Sequence, residues 1–357
     1  MTPAKPLAAA VILLVAVLPF PGHASPAEPL EVRVEDRLPG GNYRAASVET
    51  GGAIYIIGGR NETDTSPAVM RYDPSNGAVS FAAFRLPQPR MSACAVYDGK
   101  YAYVLGGADG GLELGSILRI ELGTGEVRTL EAQLPSPRIG LSAALQDGRI
   151  YIFGGHSNGT KITHILRFDP ATGNMTVMGA SLPGGRAGMA IASAGSGIHL
   201  FGGKTDTGAS DEVLLYEPEE DRLSVLPDRL PYTVYHAPAV LFRGAILIIG
   251  GNARLPGWNV SKATDTIVVF DPATGISSLL KSRLPSPRER TVAAVMGGRV
   301  LVFGGQEGVR ALDEVVSLGP ARKDGARTPD GWTPVLQLAI LLGGAATAAA
   351  AIRRRKR

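Results

Sequence analysis

The chain has 357 residues, enough for a sizeable core, and its 46 glycines, 26 prolines and 6% aromatic residues suit many short strands joined by turns. The formal charge of +4 falls to −2 once Lys5 and the five basic residues from Arg353 to Arg357 are set aside, so the basic balance is no footprint of nucleic-acid binding. The one cysteine, Cys94, excludes an intrachain disulfide and any zinc site built on two or more cysteines.

Residues 1–24 read as a secretory signal peptide. Lys5 supplies a positive start and Leu7 to Phe20 an apolar stretch. Gly22-His23-Ala24 offers small residues around a cleavage point. An uncleaved N-terminal anchor is the alternative.

From residue 30 to residue 320 one pattern occurs six times. Leu-Pro stands at Leu38, Leu86, Leu134, Leu182, Leu230 and Leu284, each 20 residues before a Gly-Gly pair. Successive units are 48 residues apart, except the last step of 54. A fixed period of this size announces a repeat architecture. Each unit carries four strand signals, a to d. Strand a follows Leu-Pro, and strand b is a β-branched and aromatic run ending on Gly-Gly, such as RIYIFGG. The a–b turn holds Gly or Asp-Gly, which permits positive φ. Strand c ends in a turn such as Asp169-Pro170-Ala171-Thr172-Gly173, where the aspartate is a turn residue rather than a calcium ligand. Strand d leads to the next Leu-Pro. The first Leu-Pro has only LEVRVEDR before it, and the last unit lacks a strand d. Leu30 to Asp36 are therefore expected to fill the outer position of the last unit and close the ring.

The C-terminal end divides into a polar spacer (321–332), an apolar helix (333–352) and a basic tail (353–357). The apolar run Val335 to Ile352 has 18 residues and at ~1.5 Å per residue barely spans a hydrocarbon core of ~30 Å. The basic tail should stay cytoplasmic, leaving the repeat domain outside. A permanent single-pass anchor and a sorting tail removed by a transpeptidase both fit, and both place the protein at the cell surface.

Gly-Gly after an apolar strand, a strand ending in Tyr-Asp-Pro or its analogue, and Leu-Pro-x-Pro-Arg leading onward resemble the kelch repeat family. The resemblance implies an all-β, six-bladed propeller of four-stranded blades, with strand a lining a central channel. The d–a connections and b–c loops then share one face, here called the upper face. In place of the tryptophan common in strand d, this chain has Phe81, Leu130, Val177, Leu226 or Leu279.

Two positions of the d–a connection reach that face. The fifth residue of the Leu-Pro element reads Asn42, Arg90, Arg138, Arg186, Val234 and Arg288. Two residues on stand Arg44, Ser92, Gly140, Gly188, His236 and Arg290. Guanidinium groups at a channel mouth would hold a carboxylate or phosphate, which makes Arg44, Arg90, Arg138, Arg186, Arg288 and Arg290 candidate ligand residues. The other reading of the fifth-position arginines is that they bond carbonyls between blades. The b–c loops add His156 and, in the six-residue insertion of the fifth unit, Trp258. That loop is either a recognition element or a tolerated insertion. Asn61, Asn158, Asn174 and Asn259 begin N-x-[ST] sequons, candidates for glycosylation in an exported protein.

These features favour a surface-anchored module that binds a protein or an acidic glycan, without metal or cofactor. Kelch copper oxidases need two Tyr, two His and a Cys-modified Tyr at the centre, whereas Cys94 reads as a small buried strand residue. An alternative enzyme is suggested by similarity in size and Arg-rich mouth to the kelch-type sialic-acid mutarotase. Glu289 and His236 would then supply a general acid–base pair.

Overall fold

The computed structural model describes residues 30–321. The expected signal peptide, the apolar helix, the basic tail and nearly all of the spacer lie outside the described residues. Within the described residues the secondary structure is all strand, and no helix is long and apolar enough to cross a membrane.

Six four-stranded antiparallel sheets form the body. In the second unit, Cys94–Tyr97, Ala102–Leu105, Ser116–Glu121 and Glu126–Gln133 follow one another as neighbours from the channel outward. The first turn forms because the Asp98 carboxylate accepts the amides of Lys100 and Tyr101 at 2.8 and 2.6 Å, and Gly99 takes φ 98°. The second strand is wholly buried, since its two faces meet two neighbouring sheets. The outer strand alternates between half-buried and exposed residues, as a strand with one solvated face does.

The core is therefore divided among the spaces between sheets. Tyr151, Phe153 and Ile165 of the third unit pack against Leu200, Leu214 and Tyr216 of the fourth. Ile54, Ile56 and Met70 of the first unit pack against Leu301, Phe303 and Val315 of the last. Each such fully buried side chain contributes roughly 1.5–3 kcal/mol relative to exposure.

The last sheet runs in the order Glu31–Arg37, Glu314–Gly319, Arg299–Phe303, Val292–Met296. Val32 faces Leu318 and Val34 faces Val316. The outermost strand of the last unit thus comes from the opposite end of the described chain. The inner strands neighbour one another in a closed cycle through all six units, so the sheets are arranged radially as in a β-propeller.

The Gly-Gly pairs hold this arrangement. A Cβ added at Gly154 would lie 2.2 Å from the Arg186 carbonyl oxygen, and at Gly202 one would lie 2.1 Å from that of Val234. Both glycines also take positive φ, 57° and 60°, so sterics and backbone conformation together demand glycine.

Small hairpins crown the b–c loops, for example His156–Ser157 with Thr160–Lys161. The fifth-unit insertion instead builds a three-stranded sheet from Thr233–Tyr235, Asn252–Arg254 and Lys262–Ala263.

Candidate functional site

The d–a connections carry two rings of residues with different fates. At the fifth position, Arg90, Arg138, Arg186 and Arg288 are 0–3% exposed. Their Nη1 atoms donate to the carbonyls of Gly106, Gly154, Gly202 and Gly304. Asn42 does the same to Gly58 at 3.0 Å. The backbone carbonyls of these residues meanwhile accept the second glycine amide of the preceding unit, as when Gly107 donates to Arg138 at 2.9 Å. Each such residue therefore ties the Gly-Gly of one sheet to the Gly-Gly of the next. Glu314 receives Nη2 of Arg288 at 2.6 Å, and Glu212 receives that of Arg186. Burial pulls the Arg90 guanidinium down to about 10 and lowers those of Arg138 and Arg288. These four arginines are fastenings between sheets. The expectation that they present guanidinium groups to a ligand is corrected by their burial and their carbonyl partners.

The ring two residues on is the rim of the channel. Its amides and carbonyls bond one another in a closed circle: Arg44 to Arg290, Ser92 to Arg44, Gly140 to Ser92, Gly188 to Gly140, His236 to Gly188 and Arg290 to His236, at 2.7–2.9 Å. All six residues take φ between 53° and 66°. Left-handed backbone at four non-glycine positions costs energy that the surrounding structure must offset, a pattern typical of functional sites. The rim encloses a cavity of about 300 Å3, into which Arg44, His236 and Arg290 converge from the first, fifth and sixth units. The opposite arc, Ser92, Gly140 and Gly188, is nearly bare of side chains.

Glu289 stands behind this cationic arc, 6% exposed. Its Oε1 lies 3.2 Å from Arg290 Nη1, and its Oε2 lies 3.5 Å from His236 Nδ1. Among the described residues neither Glu289 Oε2 nor His236 Nδ1 has a hydrogen-bond partner. Burial pulls the Arg44 guanidinium down to about 10, aided by the like charge of Arg290. It also lowers His236, more than the neighbouring Glu289 raises it. For Glu289 burial acts upward, but His236 and Arg290 together outweigh it and hold the carboxylate below its ordinary value. At neutral pH the site therefore holds two guanidinium groups, a neutral imidazole and one carboxylate, a net positive pocket suited to an anion.

Other candidates lie elsewhere. His156 is on a b–c hairpin of the third unit, 3.3 Å from Glu113 Oε1 of the second. Trp258 folds onto its own loop, with Lys262 Nζ 4.1 Å from its ring centroid and its carbonyl bonded to Arg254. Neither lines the channel cavity. Asn61, Asn158, Asn174 and Asn259 are all exposed. Cys94 is half-buried and lines the channel wall rather than filling a sealed slot, with desolvation pushing its thiol up to about 12. Among the described residues no cluster of three or more His, Cys, Asp and Glu could hold a metal ion.

Sequence reasoning missed Gly188. A Cβ there would lie 2.5 Å from His236 Cδ2, so this glycine makes room for the imidazole to lean across the rim. The available signal was its slot, shared with Arg44 and His236.

The radial sheets define a β-propeller, and the fastened Gly-Gly pairs are the mark of one propeller class. Residues 42–251 match the family model described as the KLHDC2/KLHL20/DRC7 kelch-repeats domain, and the chain belongs to the kelch-repeat family. Its structure is similar to that of YjhT, with a TM-score of 0.67 at 18% identity over 81% of this chain and 97% of that one. At that identity the likeness concerns the fold. The search of curated proteins found no match.

Proposed function

We propose that this kelch chain is an exported six-bladed propeller that binds the carboxylate of an acidic sugar at its channel mouth. The observation behind this is the convergence of Arg44, Arg290 and His236 on one 300 Å3 cavity, with Glu289 the one carboxylate paired with them among the described residues. Arg44 and Arg290 supply planar donors for the carboxylate, while Ser92 and Gly140, which put little side chain on the opposite arc, leave room for the sugar ring. Export is supported by the apolar stretch at residues 7–20, and attachment to a membrane by the apolar run before the basic tail.

Titration of the full-length protein with D-glucuronate and related sugar acids tests this reading. Saturable binding is expected, weakened about tenfold or more by Arg44→Leu or Arg290→Gln, in line with loss of a charge-assisted hydrogen bond. Equal binding of the neutral parent sugar would sink it.

A second reading is favoured by the unpartnered Glu289 Oε2 beside His236. In a bound acidic sugar the neutral His236 imidazole, held 3.5 Å from Glu289 Oε2, can take the proton of the anomeric hydroxyl as the ring C–O bond breaks, while water gives a proton to the ring oxygen. Closure on the other carbonyl face exchanges the anomers. Exchange spectroscopy on a sugar acid, with and without Glu289→Gln, distinguishes this enzyme from a binder.

A further inference from the structure

A second cavity, of about 500 Å3, lies on the upper face of the fourth unit, outside the channel rim. Its floor is Gly184-Gly185. The third and sixth units carry Ser136-Pro137 and Ser286-Pro287 there. In those units the serine covers the buried arginine. Ser136 accepts Arg138 Nε on its carbonyl at 3.2 Å and Nη2 on its hydroxyl at 2.9 Å, and Ser286 repeats both bonds with Arg288 at 3.4 and 3.0 Å. The fourth unit has no hydroxyl to receive Nη2 there, and among the described residues Arg186 Nε, like Arg90 Nε, has no hydrogen-bond partner. A Cβ at Gly184 would meet nothing within 4 Å.

The walls decide what such a space suits. Three carboxylates border it, and each already has a cation: Lys161 on Asp206 and Arg229 on Asp211, at 2.7 and 2.9 Å, and Arg186 on Glu212. The charges cancel, so neither an anion nor a cation is favoured. What remains is spare lone pairs on the carboxylates and unused capacity on the hydroxyls of Thr205, Thr207 and Ser210, each of which already makes a bond within the wall. A polyhydroxyl ligand satisfies such a surface without bringing charge.

We propose that this cavity is a second carbohydrate subsite, taking a neutral sugar residue. Arg186 at its edge and Gly188 on the channel rim are separated by Ala187 alone, about 7 Å of chain. The low rim at Gly140, where a Cβ would meet nothing nearer than 3.7 Å, is the next rim position, in the third unit. A sugar chain seated by its acidic residue in the channel has only this wall to cross. That continuity rests on the channel reading, but the neutral subsite does not.

The test is titration of the full-length protein with glucuronate, with a glucuronosyl-glucose disaccharide and with the neutral disaccharide maltose. The acidic disaccharide should bind about tenfold more tightly than glucuronate. Gly184→Leu, which fills the open space, should bring that ratio close to one, and Thr207→Val should lower it partway. A ratio near one in the unaltered protein, or one that Gly184→Leu does not change, overturns the proposal, as does the failure of all three sugars to bind. Binding of maltose that depends on Gly184, with none of glucuronate, upholds the neutral subsite and removes the channel reading instead.

Discussion

Arg138 and His236 sit in neighbouring slots of the same connecting element, yet they behave oppositely. Arg138 is 1% exposed and spends its donors on Gly154 and Ser136. Replacing it with leucine should cost about 2–4 kcal/mol, because the carbonyl and hydroxyl it served stay buried and unpaired. Denaturant unfolding reads this as a lowered midpoint, with ligand binding at the rim unchanged. His236 instead makes stability depend on pH. Its folded-state pKa lies below the ordinary value of 6.5. Its contribution is therefore complete above that value and is lost as pH falls through the folded pKa. Glu289, also lowered, acts in the same direction below 4.5. Thermal midpoints measured from pH 7 to 5 should fall more steeply in the unaltered protein than in His236→Gln. An identical slope in both would show that His236 does not carry this linkage. The sequence displayed both slots, offered arginines of both as ligand residues, and left open whether those of the fifth position bond carbonyls between blades instead. Arg in four of six units looks like a ring built for a ligand, whereas regularity here marks a scaffold contact that every sheet needs. The irregular slot, reading Arg, Ser, Gly, Gly, His, Arg, is where the six units differ and where the cavity forms. Burial separates the two, and burial is not visible in residue identity.

At the scale of elements, the strands were readable because each obeys a local rule: apolar runs ending on Gly-Gly, Asp-Gly turns, and Asp-Pro before a left-handed glycine. The b–c hairpins were not readable, since two-residue strands such as Gln306–Glu307 and Arg310–Ala311 have no periodicity to detect. The strand Glu31–Arg37 was inferred from a missing partner rather than from its own composition. It pairs along Glu314–Gly319, and Arg37 meets Asp313 at 2.6 Å. Deleting Glu31–Arg37 should expose the edge of Glu314–Gly319 and uncover Val316 and Leu318. Loss of cooperative thermal unfolding, or association through that edge in sedimentation, is the expected result. A truncated protein that stays monomeric with an unchanged midpoint would mean that this strand does not hold the ring.

Over the whole molecule, the period of 48 residues dictated radial sheets, and the step of 54 located the one irregular loop. What the period could not convey is how the sum of six units acts at the centre. Six backbone bonds close a circle at the rim, so the mouth keeps its diameter unless several bonds yield together. Arg44, His236 and Arg290 are thereby held at fixed spacing without any help from a ligand, which favours preorganised binding over closure around a guest. The opposite ends of the described chain meet in one sheet, where Glu31 faces Gly319 at the same end of the pair. A mechanical load drawn between those ends would thus peel the pair one bond at a time, like a zip. The weakest direction of the molecule under tension is therefore the seam where its ends meet, and rupture there would precede damage to the rim.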